Sequence, residues 1–197
     1  MTRHLSLVVA LLAAGVGVTA AAEVVPGVRC RDFFGYQNCP MLFNDSTRVI
    51  LCPQAGGRVL SYAWRDKESI PLNPAQKGWT YTPGGKLIDP YGGRFDIGPE
   101  MTCPSHPDLF YGPWQTQVLG PRAVRLTSVE DKRTGVQLLR DFELAATGSH
   151  LRCTQHLRNV SSQPQPWCHW SRTFALGNGI CVVPLNPQSR FPRGYIT

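Results

Sequence analysis

The chain carries Val136-Gln-Leu-Leu-Arg-Asp-Phe-Glu-Leu144 near its middle and, after the turn-forming segment Ala146-Thr-Gly-Ser149, Leu151-Arg-Cys-Thr-Gln-His-Leu-Arg158. Each run is about as long as a strand and is bounded by residues that favour tight turns. Outside the first 22 residues, no segment places apolar residues at helical spacing over three turns. We therefore predict two antiparallel strands joined in a hairpin.

Further runs of the same kind lie on both sides of this hairpin at a spacing of about ten residues. Glu130-Asp-Lys-Arg-Thr-Gly135 is a second hairpin turn, and Pro53-Gln-Ala-Gly-Gly57 is a tight turn between two earlier strands. Short strands at regular spacing are typical of an antiparallel sandwich or barrel, so the predicted class is all-β. The additional predicted strands are Thr47–Cys52, Arg58–Trp64, Trp114–Leu119, Ala123–Val129, Trp167–Phe174 and Ile180–Pro184.

The first 22 residues have the pattern of a secretory signal peptide. A basic head, Met1–His4, precedes the apolar run Leu5–Val18, and Ala20-Ala21-Ala22 matches a cleavage site. The apolar run is shorter than the ~20 residues of a membrane-spanning helix, and no second such run follows. We expect an exported protein without stable membrane insertion, periplasmic or extracellular, with a single β-sandwich domain over residues 23–197.

The charge of the chain is positive but dispersed. Lysine and arginine number 20 against 13 acidic residues, a formal net charge of +7 that falls to +6 when Arg3 leaves with the signal peptide. The arginines occur mostly singly, and no cluster of five or more basic residues is present. This distribution argues against a nucleic-acid partner.

The seven cysteines include no C-x-x-C pair, which removes the main support for zinc-ribbon and thioredoxin-like readings. Export permits disulfides. Cys30 and Cys39 bracket a compact segment and are the first choice for a local bridge. Cys153 and Cys168 lie on consecutive predicted strands and are a second possible pair. The odd total leaves one thiol unpaired within the chain.

Two segments interrupt the strand pattern. From Arg65 to Pro113 the chain is rich in proline and glycine, and a loop of this length is usually functional, disordered or a string of short strands. From Leu185 to Thr197 the sequence reads as a connection towards a further strand. We therefore expect the sandwich to be incomplete at its C-terminal end.

The predicted strand Trp167–Phe174 carries the first candidate for a functional side chain. Alternation along a strand places Trp167, His169, Ser171 and Thr173 on one face. An indole and an imidazole on one face offer a sugar both an apolar platform and a proton donor. The alternative is a packed core position with a hydrogen-bonded histidine.

Three stretches together resemble the galactose-mutarotase-like (aldose 1-epimerase-like) superfamily, and most closely a poorly characterised exported bacterial branch of it. They are Gly56-Gly-Arg-Val-Leu-Ser-Tyr62, Gly92-Gly-Arg-Phe-Asp-Ile-Gly-Pro-Glu100 and the run from Val124 to Phe174, and their order and spacing carry the resemblance. It covers about Asn44 to Tyr195. The resemblance implies a large β-sandwich that binds sugars in a cleft on one sheet.

The resemblance also implies roles for individual residues. Asn159 and His169 keep the family spacing between a turn asparagine and the histidine that acts as general acid towards the ring oxygen. Gly93-Arg94 resembles the pair that supplies an arginine to the sugar hydroxyls. His106 lies roughly where a second family histidine is found, but in Pro104-Ser-His-Pro107, which departs from the family motif. The family's general base, a glutamate near the C-terminus, has no counterpart here.

Each of these residues also has a structural interpretation. Arg94 and Glu100, six positions apart, are candidate sugar-binding residues that alternatively pair with each other on a solvated loop. Trp114 and Trp167 are candidate platforms, although aromatic residues more often fill a sandwich core. His106, between two prolines, is expected on a surface loop.

The predicted function is therefore that of an exported, mutarotase-like protein that binds a small sugar or glycan and interconverts aldose anomers if it is catalytic. The alternatives on the same fold are a non-catalytic sugar-binding module and an extracytoplasmic structural or interaction domain. Neither a cofactor nor a metal ion is expected.

Overall fold

The computed structural model describes residues 25–89 and 91–194, and the predicted signal peptide lies outside them. Strands account for 41% of the structure and helices for 7%, and every strand pairing is antiparallel. The all-β prediction is therefore confirmed.

The strands form three sheets. The first has the order β1-β2-β3-β4-β5, the second the order β10-β9-β8-β7, and β11 pairs with β6 in a two-stranded ribbon. The strands are β1 (Val28–Phe33), β2 (Tyr36–Phe43), β3 (Thr47–Cys52), β4 (Arg58–Trp64), β5 (Lys67–Glu68), β6 (Arg94–Gly98), β7 (Gln115–Gly120), β8 (Ala123–Thr127), β9 (Val136–Leu144), β10 (Leu151–Asn159) and β11 (Cys168–Arg172). The helices are α1 (Pro107–Tyr111) and two 3₁₀ turns, Pro53–Ala55 and Pro74–Gln76.

The hairpins that the sequence predicts are present. β3 pairs with β4 through the Pro53–Ala55 turn, and β9 pairs with β10 in continuous register from Val136 opposite Asn159 to Leu144 opposite Leu151. Gly56 ends the 3₁₀ turn with φ +77°, a left-handed conformation that glycine adopts without steric cost. Local turn chemistry thus sets both hairpins.

The predicted bridge between Cys30 and Cys39 is wrong. These residues lie on the β1–β2 hairpin, where Cys30 faces Pro40 and Arg31 faces Cys39. The two cysteines therefore project from opposite faces, and Cys39 is fully buried while Cys30 is exposed.

Cys153 and Cys168, the second possible pair, do not lie on neighbouring strands, because β11 pairs with β6 rather than with β10. All seven cysteines are free thiols.

The main core draws apolar side chains from all three sheets. Leu42 and Val49 come from the first sheet, Phe95 from the ribbon, and Leu138 and Phe142 from the second, and each is 1% exposed or less. Burial of this apolar surface is the main force that holds the sheets together. A second cluster packs the other side of the first sheet and includes the buried thiols of Cys39 and Cys52.

The proline- and glycine-rich segment turns out to be ordered by short elements, β5, β6, α1 and the Pro74–Gln76 turn. The predicted strand Ile180–Pro184, in contrast, is wrong, since the described residues after β11 contain no strand. Ile180 is 93% and Val182 79% exposed, so this β-branched run has no neighbouring strand on which to pack. Within residues 25–89 and 91–194, no helix is long and apolar enough to span a membrane.

Candidate functional site

The β6–β11 ribbon positions most of the candidate side chains. In its register Asp96 lies opposite Trp170, and Ile97 lies opposite His169. Residues that face each other across an antiparallel pair project to the same side. Arg94, Asp96 and Trp170 therefore share one face, which we call the outer face. His169 shares the other, inner face with Ile97.

Asp96 is the centre of the outer face. Its side chain is 1% exposed, and its carboxylate accepts four hydrogen bonds. Oδ1 accepts from the backbone N–H of Ile97 at 2.8 Å and from Nε2 of His106 at 2.8 Å. Oδ2 accepts from Nε and Nη2 of Arg94 at 3.0 and 2.5 Å. These four bonds saturate the buried carboxylate and fix both of its cationic partners.

His106 is buried, at 8% exposure, so its predicted position on a surface loop is wrong. The partner that allows burial is Asp96. The other ring nitrogen, Nδ1, contacts the carbonyl oxygen of Pro104. Both partners accept hydrogen bonds, an arrangement that favours the imidazolium form of the ring. Burial alone lowers the pKa of His106, but the hydrogen bonds to Asp96 and Pro104, with the charges of Asp96 and Asp131, raise the pKa above its ordinary value.

Arg94 connects this buried cluster to the surface. Its guanidinium carbon lies 3.9 Å from the ring centre of Phe110 and 4.8 Å from that of Trp170. Cation–π contacts of this kind hold the plane of the guanidinium in place. Nη1 lies 3.7 Å from Oε1 of Glu100, whose side chain is 67% exposed. The alternative that Arg94 and Glu100 pair with each other is thus observed, although Asp96 is the closer partner.

A cavity of about 180 Å³ opens on the outer face beside this cluster. Its wall combines three of the candidate residues with apolar side chains from the neighbouring loop and from α1. Concave sites that mix an apolar wall with a few convergent polar groups are typical of small-molecule binding. The lining residues are Leu87, Arg94, Glu100, Cys103, Pro104, Ser105, His106, Pro107 and Phe110.

His169 lies apart from this cavity, on the inner face. Its Nε2 contacts Oε1 of Gln155 in β10, and its ring packs 5.3 Å from that of Phe95. The side chain of His169 is exposed. The structure therefore does not bring His169 together with Arg94, Glu100 or His106.

The two candidate tryptophans are held by structural contacts. Trp114 is 5% exposed, packs in the main core and donates its indole N–H to the carbonyl of Leu109 at 3.1 Å. Trp167 is half-buried against the same core and donates to the carbonyl of Thr134 at 2.7 Å. These contacts favour the structural interpretation for both. Trp170 is instead the indole that contacts Arg94.

Arg140 is a second buried cation, on β9 and 4% exposed. It donates Nη1 to the carbonyl of Gly57 at 2.9 Å, while Nε is buried without a hydrogen-bond partner among the described residues. Burial lowers the pKa of this guanidinium. Arg140 faces Gln155, the contact of His169, across the β9–β10 pair.

Comparison with protein families, with curated proteins and with solved structures gave no match for this chain. The resemblance to galactose-mutarotase-like proteins accordingly stays a prediction. Within the part of the chain that the structure describes, no three or more histidine, cysteine or acidic side chains are grouped so as to hold a metal ion.

Sequence reasoning missed the two residues that organise the cavity. Neither Asp96 nor Phe110 is predicted from the sequence as a site residue. A signal for Asp96 is its position two residues after Arg94, which puts both side chains on one face if the segment is a strand. The sequence gives no comparable signal for Phe110, since its position depends on how α1 packs.

Proposed function

We propose that this protein is an exported, carbohydrate-binding protein of the galactose-mutarotase-like type, and that the cavity beside Arg94 is its sugar site. The observation that carries the proposal is the fixed guanidinium of Arg94. It is held by a saturated carboxylate and two aromatic rings, and it borders a cavity together with Glu100. Sugars combine apolar C–H faces with hydroxyl edges, and this wall offers a match for both.

Sugar binding without catalysis is the function that the geometry supports best. Anomer interconversion needs a carboxylate and an acid that face the same sugar ring. His169, the family-type acid, is on the other face of the ribbon from Glu100. His106 borders the cavity, but both of its ring nitrogens are engaged by Asp96 and Pro104. A non-catalytic sugar-binding module therefore takes precedence over an aldose 1-epimerase.

Calorimetry of the mature protein with neutral aldoses, such as galactose and glucose, tests the binding proposal. Arg94→Lys should weaken binding by about tenfold, because lysine has neither the planar fork nor the same aromatic contacts. Arg125→Lys is the matched control, since Arg125 forms a comparable arginine–aspartate pair with Asp141 on the second sheet, 2.6 Å from Nε to Oδ1. Absence of affinity for every sugar tried refutes the proposal and favours an interaction domain.

NMR of α and β anomer exchange tests the choice between binding and catalysis. We expect the wild-type protein to leave the exchange rate of the bound aldoses unchanged. If the wild-type protein accelerates anomer exchange and His169→Ala does not, the result supports an aldose 1-epimerase with its site on the inner face. Export is checked separately by N-terminal sequencing of the secreted product, which should begin at Glu23.

A further inference from the structure

The hydrogen bonds of the outer face leave one edge of Arg94 open. One oxygen of Asp96, Oδ2, accepts hydrogen bonds from both Nε and Nη2, so the edge of the guanidinium between these two atoms is occupied. Nη1 makes no hydrogen bond to any of the described residues. Its nearest acidic neighbour is Glu100, at 3.7 Å, which is too far for a hydrogen bond. Nη1 is therefore a donor without a hydrogen-bond partner among the described residues, on a side chain that lines the cavity.

The charges beneath the cavity favour an anion at this edge. Arg94 and the imidazolium of His106 are two cations that share one buried carboxylate, Asp96. The remaining positive charge is offset only by Glu100 among the residues that line the cavity. Glu100 is 67% exposed and lies 3.7 Å from Nη1, beyond hydrogen-bond distance, so its attraction to Arg94 contributes little to stability. The carboxylate of a ligand can therefore replace Glu100 next to Arg94 with little loss of stability.

The shape of the open edge is matched to a carboxylate. Guanidinium groups bind carboxylates through two parallel N–H donors, and such charge-assisted bonds are roughly twice as strong as neutral ones. Phe110, Leu87 and Pro107 supply the apolar wall beside the same edge. A ligand that fits both features carries one carboxylate on a compact ring with apolar C–H groups.

We propose that the cavity selects sugar acids, with a uronate carboxylate on the open edge of Arg94 in place of Glu100 and the pyranose ring against the apolar wall, where Leu87 is the exposed side chain. This inference rests on the proposed function and names the class of sugar at the same site. It makes Glu100 a competitor of the ligand rather than a binding residue.

The test is calorimetry with galacturonate and glucuronate against galactose and glucose at low ionic strength. Wild-type protein should bind the uronates about tenfold more tightly than the neutral sugars, and the preference should shrink as sodium chloride is added. Glu100→Gln should raise uronate affinity several-fold relative to neutral-sugar affinity. Arg94→Lys should abolish the preference, while Arg125→Lys should keep it.

The variants and ligands separate the possible failures. Glu100 lies outside the buried cluster, so Glu100→Gln tests the inference even if Arg94→Lys fails to fold. Equal affinity for uronates and neutral sugars overturns the inference but leaves sugar binding in place, whereas no affinity for either overturns both proposals. If acetate binds as tightly as galacturonate, the inference that the sugar ring contributes to binding is wrong. Galactose 6-phosphate that binds more tightly than galacturonate overturns the choice of a carboxylate.

Discussion

Replacing Asp96 by asparagine removes the charge on which the outer face depends while keeping the size of the side chain. Asp96 is 1% exposed, and its partners Arg94 and His106 have side chains 13% and 8% exposed. In Asp96→Asn, two largely buried cations face a neutral amide whose single oxygen cannot accept all four hydrogen bonds. Breaking a buried pair by removing one partner costs roughly 3–5 kcal/mol. We expect a loss of this size in the free energy of unfolding.

Urea unfolding followed by tryptophan fluorescence measures this loss, with an unchanged m value as the sign that only stability has altered. The melting temperature should fall by roughly 6–20 °C for a chain of this length. Asp141→Asn is the matched control, because Asp141 and its partner Arg125 have side chains 23% and 33% exposed. That pair should contribute at most about 1 kcal/mol. If Asp96→Asn costs no more than Asp141→Asn, the reasoning about the buried cluster is wrong.

Three further predictions concern pH, thiol reactivity and a turn. Because the folded pKa of His106 is raised, its contribution to stability is full below about pH 6.5 and is lost as pH rises through the folded value. The melting-temperature advantage of wild type over His106→Gln should therefore shrink as the pH is raised above about 6.5, and a constant advantage contradicts this. Burial raises the pKa of Cys39 to about 11 and that of Cys52 to about 12. Alkylation at pH 8 with peptide mapping should therefore label the exposed cysteines first and these two only after unfolding. Early labelling of Cys39 or Cys52 contradicts their burial. Gly56→Ala should cost roughly 1–3 kcal/mol in urea unfolding, since a Cβ at φ +77° lies 2.0 Å from the carbonyl oxygen of Phe110; a neutral effect contradicts the turn geometry.

The sequence predicted the strands wherever the information is local. Val136–Leu144, Thr47–Cys52 and Arg58–Trp64 are found with the predicted bounds, because residue alternation and neighbouring turns are sufficient to define a hairpin. The β1–β2 hairpin escaped prediction, since its cysteines suggested a bridged loop. Ile180–Pro184 was predicted as a strand and is not one, because β-branched residues form a strand only where a partner strand is available.

The candidate site was less predictable because it depends on contacts between distant residues. Three of the predicted substrate-binding residues, Arg94, Glu100 and His106, line one cavity, and their role in binding stays a prediction. The partner that buries His106 is supplied by β6, which the sequence does not mark as a strand. His169 was placed correctly on the face opposite Trp170, but the sequence does not reveal that β11 pairs with β6. That pairing separates His169 from the other candidates.

The β6–β11 ribbon also has a consequence for the order of assembly. Every other strand pairing within residues 25–89 and 91–194 joins consecutive strands, whereas this ribbon closes around all four strands of the second sheet. Loop closure on this scale loses more chain entropy than a hairpin does, and contacts between distant residues slow folding. Trp170 reaches Arg94 only when the ribbon has closed, so the full set of contacts that holds the Arg94 guanidinium forms late in folding. A ligand that binds this cavity contacts only residues between Leu87 and Phe110, and it stabilises the whole fold by mass action.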